Sequence, residues 1–460
     1  MITPEGGSDN IGHNGNKDIM TAITDDIARR INDAAAQMTD ELVEWRRDFH
    51  RYPELGFQEY RTTVIILERL TDWGYEVLYG PDVCEADERM GLPGPDADAA
   101  AFQRALDEGA DPAWLERIKD QFTGAVAIMR NGEGPTVGMR FDIDALPIHE
   151  ADDDDFEPAA KGFRSEHEGT MHACGHDAHI TIGLGTAKLL AEMKDSWSGT
   201  LKIIFQPAEE GVRGAKSIVA KGHLDDVDFM LAQHVDEKSQ DGDICSGAGG
   251  ALATTKMDVN FFGRSAHASG APEEGRNVVP AVATAILNLY AISRHSHGPS
   301  RVNVGKVIID GGRNIIADKA HLEIEVRGDT TETNEYMEKR ARAVIKAAAA
   351  MYELEYEIVR MGESISLDSD RELMERIDAV AAELGLKAHQ PNWMEASGSE
   401  DYAFMMDRVQ ANGGKATFIR MLTASPAGAH NRKFCVEEKV LPAGVRIFTG
   451  AAINLMPRGE

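Results

Sequence analysis

Five segments of the chain hold residue types that ligate metals or move protons. MHACGHDAH carries His172, Cys174, His176, Asp177 and His179. A thiolate at Cys174 and an imidazole at His176, two residues apart, reach a common ion if the backbone bends tightly, and Gly175 between them permits that bend. IIFQPAEEG places Glu209 and Glu210 after an apolar run and a proline. Adjacent carboxylates diverge, so when one faces a metal the other faces a water. That split gives one ligand and one general base, as metal-assisted hydrolysis requires. Asp142 and Asp144 follow the apolar run Thr136 to Phe141, His234 ends the run from Phe229, and His430 stands in the turn-rich SPAGAHNRKF. His172, His179 and His223 lack such company and are read as capping, supporting or surface residues. Asp152 to Asp155 read as a solvated loop, because consecutive carboxylates converge on one ion only with strain.

The elements that must position these residues follow from periodicity. A helix is expected from Ile23 to Trp45, then a Pro/Gly turn in HRYPELGFQEYRT and a second helix with Val64, Ile65 and Leu67. Short apolar runs at Ala125 to Met129, Thr136 to Phe141, Leu201 to Phe205 and Phe229 to Ala232 read as buried strands, with a helix from about Ala178 to Met193 among them. Ligands in such layers sit beyond the carboxyl ends of the strands, where Asp142, Asp144, Glu209, Glu210 and His234 fall. The pattern then changes to strand Met257 to Phe262, helix Ala281 to Arg294, strands Arg301 to Ile308 and His321 to Arg327, helix Asn334 to Met351 and strand Leu354 to Arg360. The order β-α-β-β-α-β is that of a ferredoxin-like unit, inserted at 251–362. The expected fold is α/β: a discontinuous catalytic domain over 20–250 and 363–460, with a mixed sheet flanked by helices, plus that insert. Residues 1–19 read as a disordered tail. The acidic, Gly/Pro-punctuated stretch 81–118 reads as a surface insertion. No internal repeat is found.

Composition narrows the class. The 460 residues are 42% hydrophobic, enough for a large core, and 48 Lys plus Arg against 77 Asp plus Glu leave a net charge of −29. That field repels phosphate backbones and anionic lipid, so neither nucleic acid nor membrane is expected as a partner. The absence of a long apolar stretch or a secretion-type amino terminus points to a cytoplasmic protein. Four scattered cysteines make no disulfide framework; Cys84, Cys245 and Cys435 read as small core hydrophobes.

The segments RRDFHRYPELGFQEYRT, GMRFDIDALPI, MHACGHDAH, IIFQPAEEG, GRSAHAS, GGRNIIAD, GSEDYAF and GAHNRKF, in this order, resemble the aminoacylase-type metallopeptidase family M20 in its amidohydrolase branch. The resemblance covers nearly the whole chain after about residue 20. Residues 81–118 and GGRNIIAD look most like the p-aminobenzoyl-glutamate hydrolase A-subunit group. The resemblance implies a dinuclear centre in which Cys174, His176, Glu210, His234 and His430 are ligands and Glu209 is the base. Asp144 would orient an imidazole from behind. Many relatives have His-x-Asp where this chain has Asp142-Ile143-Asp144, so the usual first histidine ligand is replaced. A thiolate ligand leaves Zn²⁺ and Mn²⁺ both open. The insert would be a dimerisation lid whose His267 reaches the partner's site and holds the oxyanion, while Asn314 and Arg327 bind substrate. A guanidinium fork suits the free carboxylate of an acylated amino acid. The implied activity is hydrolysis of N-acyl amino acids, p-aminobenzoyl-glutamate foremost, with indole-acetyl-amino acids and hippurate as alternatives. A homodimer, or a hetero-oligomer with a related subunit, is expected. A noncatalytic subunit is the reading from another class, and the presence of every expected ligand and of the base weighs against it.

Overall fold

The computed structural model describes residues 23–237, 242–389, 393–395 and 398–458. The tail expected at 1–19 lies outside them. The chain opens with helices α1 (Asp25–Gln37), α2 (Thr39–Arg51) and α3 (Tyr60–Asp72), strand β1 (Glu76–Tyr79) and helices α4 (Pro95–Asp107) and α5 (Pro112–Ile118). Strands β2 (Ala125–Asn131) and β3 (Thr136–Asp142), helices α6 (Glu157–Ala160) and α7 (His176–Glu192), β4 (Gly199–Gln206), α8 (Ala215–Ala220), β5 (Phe229–Asp236), β6 (Ile244–Cys245) and β7 (Ala248–Ala251) follow. A second unit then runs β8 (Ala253–Phe262), α9 (Val278–Tyr290), β9 (Ser300–Asp310), β10 (Lys319–Gly328), α10 (Thr331–Met351), β11 (Glu355–Ser364). The chain returns to the first unit through β12 (Leu367–Asp368), α11 (Arg371–Glu383), β13 (Met394–Glu395), α12 (Ala403–Ala411), β14 (Lys415–Leu422) and α13 (Val440–Leu455).

Seven strands form a mixed sheet in the order β1-β2-β4-β3-β5-β14-β6. β4, β3, β5 and β14 run parallel, whereas β2 and β6 pair antiparallel to β4 and β14. The parallel strands are apolar on both faces because helices cover both. On one face α7 is buried along nearly its whole length beneath α2 and α13. Its sequence, HDAHITIGLGTAKLLAE, has no polar stripe, as a helix enclosed on all sides requires. On the other face α8 and α12 pack through Ile218, Tyr402, Met405 and Met406. The parallel strands end together, so the loops after β3, β4 and β5 converge with the amino terminus of α7.

The second unit is a four-stranded antiparallel sheet in the order β11-β8-β10-β9, with α9 and α10 packed on one face. This is the split βαβ topology. Period-two alternation along β8 sends Met257, Val259 and Phe261 into the core and leaves Lys256, Asp258 and Asn260 on the opposite face.

Four expectations need correction. The helix expected over Ile23 to Trp45 is two helices that change direction at Met38, where α1 ends and the acidic first turn of α2 begins. The stretch 81–118 is not only surface: Val83, Cys84, Ala101, Ala105, Leu115 and Ile118 are buried, because the apolar positions of α4 and α5 close over α3. Strand β5 continues past His234 to Asp236, paired throughout with β14. His172 is neither a cap nor on the surface; it is buried, and neither ring nitrogen has a hydrogen-bond partner.

Candidate metal centre and active site

The residues singled out by type converge where the parallel strands end. Gly175, in a left-handed conformation at φ 88°, turns the chain into α7, so Cys174 and His176 flank the elbow. Cys174 Sγ lies 3.3 Å from His234 Nε2. The Nδ1–H of His234 donates to the Val235 carbonyl at 2.6 Å, leaving its Nε2 lone pair free to ligate. Glu209 and Glu210 follow β4 on a turn in which Ala208 and Val212 also take positive φ, 51° and 59°. Such strain in non-glycine residues persists only where surroundings over-determine it. Here Asp144 does so, its two oxygens accepting the Glu209 and Glu210 N–H groups, each at 3.0 Å. The same carboxylate stands 3.3 Å from His176 Nδ1, and His176 Nε2 is 3.9 Å from Glu209 Oε2. His430, at φ 64°, brings Nε2 to 3.5 Å from Glu210 Oε1.

The donor set fits metal ions. Cys174, His176 and His234 hold ligand atoms within 4.8 Å of one another, as do Cys174, Glu210 and His430, and His176, Glu209 and Glu210. With His176 Nδ1 turned toward Asp144, His176 Nε2 and Glu210 Oε1 are buried with no hydrogen-bond partner among the described residues, the condition of a group awaiting a cation. Burial alone would lower the pKa of His176, but Asp142, Asp144 and Glu210 outweigh it and push it up to about 10. Burial, then Glu210 and Glu209, push the Cys174 thiol well up, so a cation bound beside it would be needed to make it a thiolate. Burial, reinforced by Glu400, Glu210 and Asp401, holds the Glu209 carboxyl well above its usual range.

A buried frame holds these groups. The His179 Nδ1–H donates to Asp142, and its Nε2 accepts the Val235 N–H at 3.0 Å. Both nitrogens are thereby used, so His179 supports the cluster and is not free to ligate. Arg140, fully buried, donates to Asp142, Gln206 and Glu400 at 2.6, 2.8 and 3.0 Å. Behind α7, His50 joins Asp177 and Glu150 at 2.8 and 2.7 Å, and Arg46 also donates to Asp177.

Above the cluster lies a cavity of about 420 Å³. Cys174, Glu209, Glu210, His234, His430 and Arg327 line it, as do Lys256, Glu400 and Arg420. His176 and Asp144 lie buried beneath. His267 and Asn314 are elsewhere on the second unit: both are exposed, and Ala268 next to His267 donates its N–H to the Asn314 carbonyl at 3.0 Å. Arg327 forks onto Glu325 through Nε and a second nitrogen at 3.1 Å. Sequence reasoning missed Arg140, Glu400, Lys256 and Arg420. Arg140 carried a signal, since a charge inside the apolar run TVGMRFD requires acidic partners, and these stand in SGSEDYAF. Asp152 to Asp155 are exposed as expected, and two of them approach Arg432 and Lys433 beside His430.

Comparison with known proteins adds a second line of support. The model of peptidase family M20/M25/M40 matches residues 138–454. The indole-3-acetyl-aspartic acid hydrolase of Enterobacter agglomerans is 42% identical over 92% of this chain and 98% of its own. The A-type chain of the p-aminobenzoyl-glutamate hydrolase of Escherichia coli is 39% identical over the same shares. Among solved structures, an aminobenzoyl-glutamate utilization protein from Klebsiella pneumoniae superposes with TM-score 0.79 at 36% identity, covering 92% of this chain and 98% of that one. A dinuclear metal binding peptidase of Bacillus subtilis superposes with TM-score 0.63 at 25% identity, covering 91% and 98%.

Proposed function

Because the chain belongs to peptidase family M20/M25/M40 and is a metal-dependent hydrolase of amide bonds, we propose that it cleaves N-acyl amino acids whose amino acid half is acidic, p-aminobenzoyl-glutamate first among them. The observation that carries this reading is the gathering of Cys174, Glu210, His234, His430 and Glu209 on one cavity, with His176 directly beneath and Lys256, Arg327 and Arg420 also in its lining. Relatives named for an aspartate and a glutamate conjugate support the acidic half.

In this reading Cys174, His176, Glu210, His234 and His430 hold two divalent ions, Mn²⁺ or Zn²⁺. When bound, such ions acidify water and polarise a carbonyl. Glu209 takes a proton from the attacking water as its oxygen bonds to the amide carbon. The C–N bond then breaks, and Glu209 returns the proton to the departing nitrogen, leaving a free acid and an amino acid. Asp144 holds the backbone of both glutamates and the His176 ring in register for these transfers. Arg327 binds the α-carboxylate, and Asn314 a further substrate oxygen. His267 of a second copy stabilises the oxyanion.

A homodimer follows from that last role. On the second unit, outer strand β9 exposes Val307 and Ile308, Leu287 is 72% exposed, and Ile315 beside His267 is exposed too. Such an apolar edge calls for a partner. Four cysteines, all free and buried, suit a reducing cytoplasm, and among the described residues no helix is long and apolar enough to cross a membrane.

The test is hydrolysis of p-aminobenzoyl-glutamate, indole-3-acetyl-aspartate and hippurate with added Mn²⁺ or Zn²⁺ and a chelator control. Chelator-sensitive release of glutamate or aspartate is expected, with hippurate slower. Activity only after mixing with a second, related chain would replace the homodimer by a hetero-oligomer. Faster cleavage of hippurate would overturn the acidic half.

A further inference from the structure

Besides His234, four basic side chains line the cavity over the metal centre, and three are engaged. Arg420 pairs with Asp236 at 2.7 Å, Arg327 with Glu325, and His430 with Glu210. The fourth, Lys256, makes neither a hydrogen bond nor an ion pair with its side chain among the described residues. Lys256 stands directly across from Glu325 in the β8–β10 register, where opposite charges would ordinarily pair. Both oxygens of Glu325 are taken by Arg327 instead. This wall therefore carries two cations and one anion, a surplus of one positive charge facing the cavity. Lys256 also borders an adjoining cavity of about 480 Å³ along the sheet, whose lining includes Asp258, Glu323 and Glu325 beside Asn303, Ile324 and Met361.

A half-buried ammonium with no partner gives up hydration without return. Burial draws its pKa down despite the pull of Glu325 and Glu209, the mark of a cation short of counter-charge. The third guanidinium nitrogen of Arg327 makes no bond among the described residues and is available to the α-carboxylate, which leaves Lys256 for a second anion.

We propose that Lys256 is a specificity-determining residue whose ammonium binds the side-chain carboxylate of an N-acyl aspartate or glutamate. The inference rests on the acidic-conjugate reading above and explains how such a substrate is told from its neutral amide.

The experiment compares wild type, Lys256→Met and Lys256→Arg on p-aminobenzoyl-glutamate, p-aminobenzoyl-glutamine and hippurate, with metal content measured for each. In Lys256→Met, KM for the glutamate conjugate should rise about 10- to 100-fold, the range of a lost charge-assisted hydrogen bond. KM for the glutamine conjugate and hippurate, kcat and metal content should stay near wild type, and Lys256→Arg should recover most of the loss. An equal rise in KM on all three substrates, or no rise on the glutamate conjugate, overturns the proposal. Should wild type cleave none of the three, the proposed function fails separately. Lys256 is then judged by calorimetry with L-glutamate and L-glutamine. A preference for glutamate lost in Lys256→Met upholds the anion site, and equal binding by both proteins overturns it.

Discussion

At the scale of single residues, Glu209 and Glu210 share a turn and face different partners. Glu210 reaches toward His430 and Cys174, while Glu209 stands across from His176 within reach of the cavity. If Glu209 moves protons and does not anchor metal, Glu209→Gln should lower kcat about 10²- to 10⁴-fold and leave two metal ions per chain by elemental analysis. Loss of metal together with activity would make Glu209 a ligand instead. The neighbouring Cys174 takes the opposite test: Cys174→Ala should release metal at micromolar chelator concentrations that leave wild type loaded, and retention of both ions would remove it from the ligand set.

At the scale of elements, two joints hold the site. The first is the Gly175 elbow. A Cβ there would stand 2.4 Å from Val235 Cγ2 in a backbone region that side chains disfavour. Gly175→Ala should cost about 1–3 kcal/mol of stability, read as a lower thermal midpoint, and should weaken metal binding because Cys174 and His176 flank the joint. An unchanged midpoint and metal content would show the elbow to be tolerant. The second joint is Glu59, at the start of α3, which accepts the Ala208 N–H at 2.8 Å and the Thr123 hydroxyl at 2.6 Å. Burial, with Asp144 adding its charge, pushes its pKa up to about 8. A carboxyl raised in this way binds its proton more tightly folded than unfolded. It therefore contributes stability fully below its unfolded pKa, near 4.5, and loses it as pH rises toward 8. Glu59→Gln keeps the acceptor for Ala208 and removes the charge. Its thermal midpoint relative to wild type should climb between pH 5 and pH 8.5, whereas a pH-independent difference would mean that Glu59 stays ionised.

At the scale of the whole molecule, the second unit completes the cavity from above through Lys256 and Arg327 yet keeps His267 and Asn314 on an exposed edge. A site that needs His267 then needs a second copy. His267→Ala and Glu209→Gln, each inactive alone, should recover roughly a quarter of wild-type activity when mixed under conditions of subunit exchange, because half of randomly formed dimers are hybrids with one intact site of two. No recovery, with hybrids verified by mass, would confine catalysis to one chain.

Residue types and their spacing were enough to mark the chemistry-bearing segments and the order of the elements. HACGH, the paired glutamates after a buried strand, His234 and His430 are legible because metal ligation restricts residue type and because apolar runs reveal which strands are enclosed. The split βαβ order was equally plain from its alternation, since a period of two cannot be mistaken over strands as long as β8 and β10. Pairings across long separations emerged only once the layers were packed. Arg140 meets Glu400 across 260 positions, His179 spends both nitrogens within the frame, the helices of 81–118 close onto the core, and Arg327 claims Glu325 so that Lys256 is left without a partner. No local rule ranks such partners, because a buried charge takes whichever opposite group the packed chain brings nearest, and that is fixed only when every layer is in place.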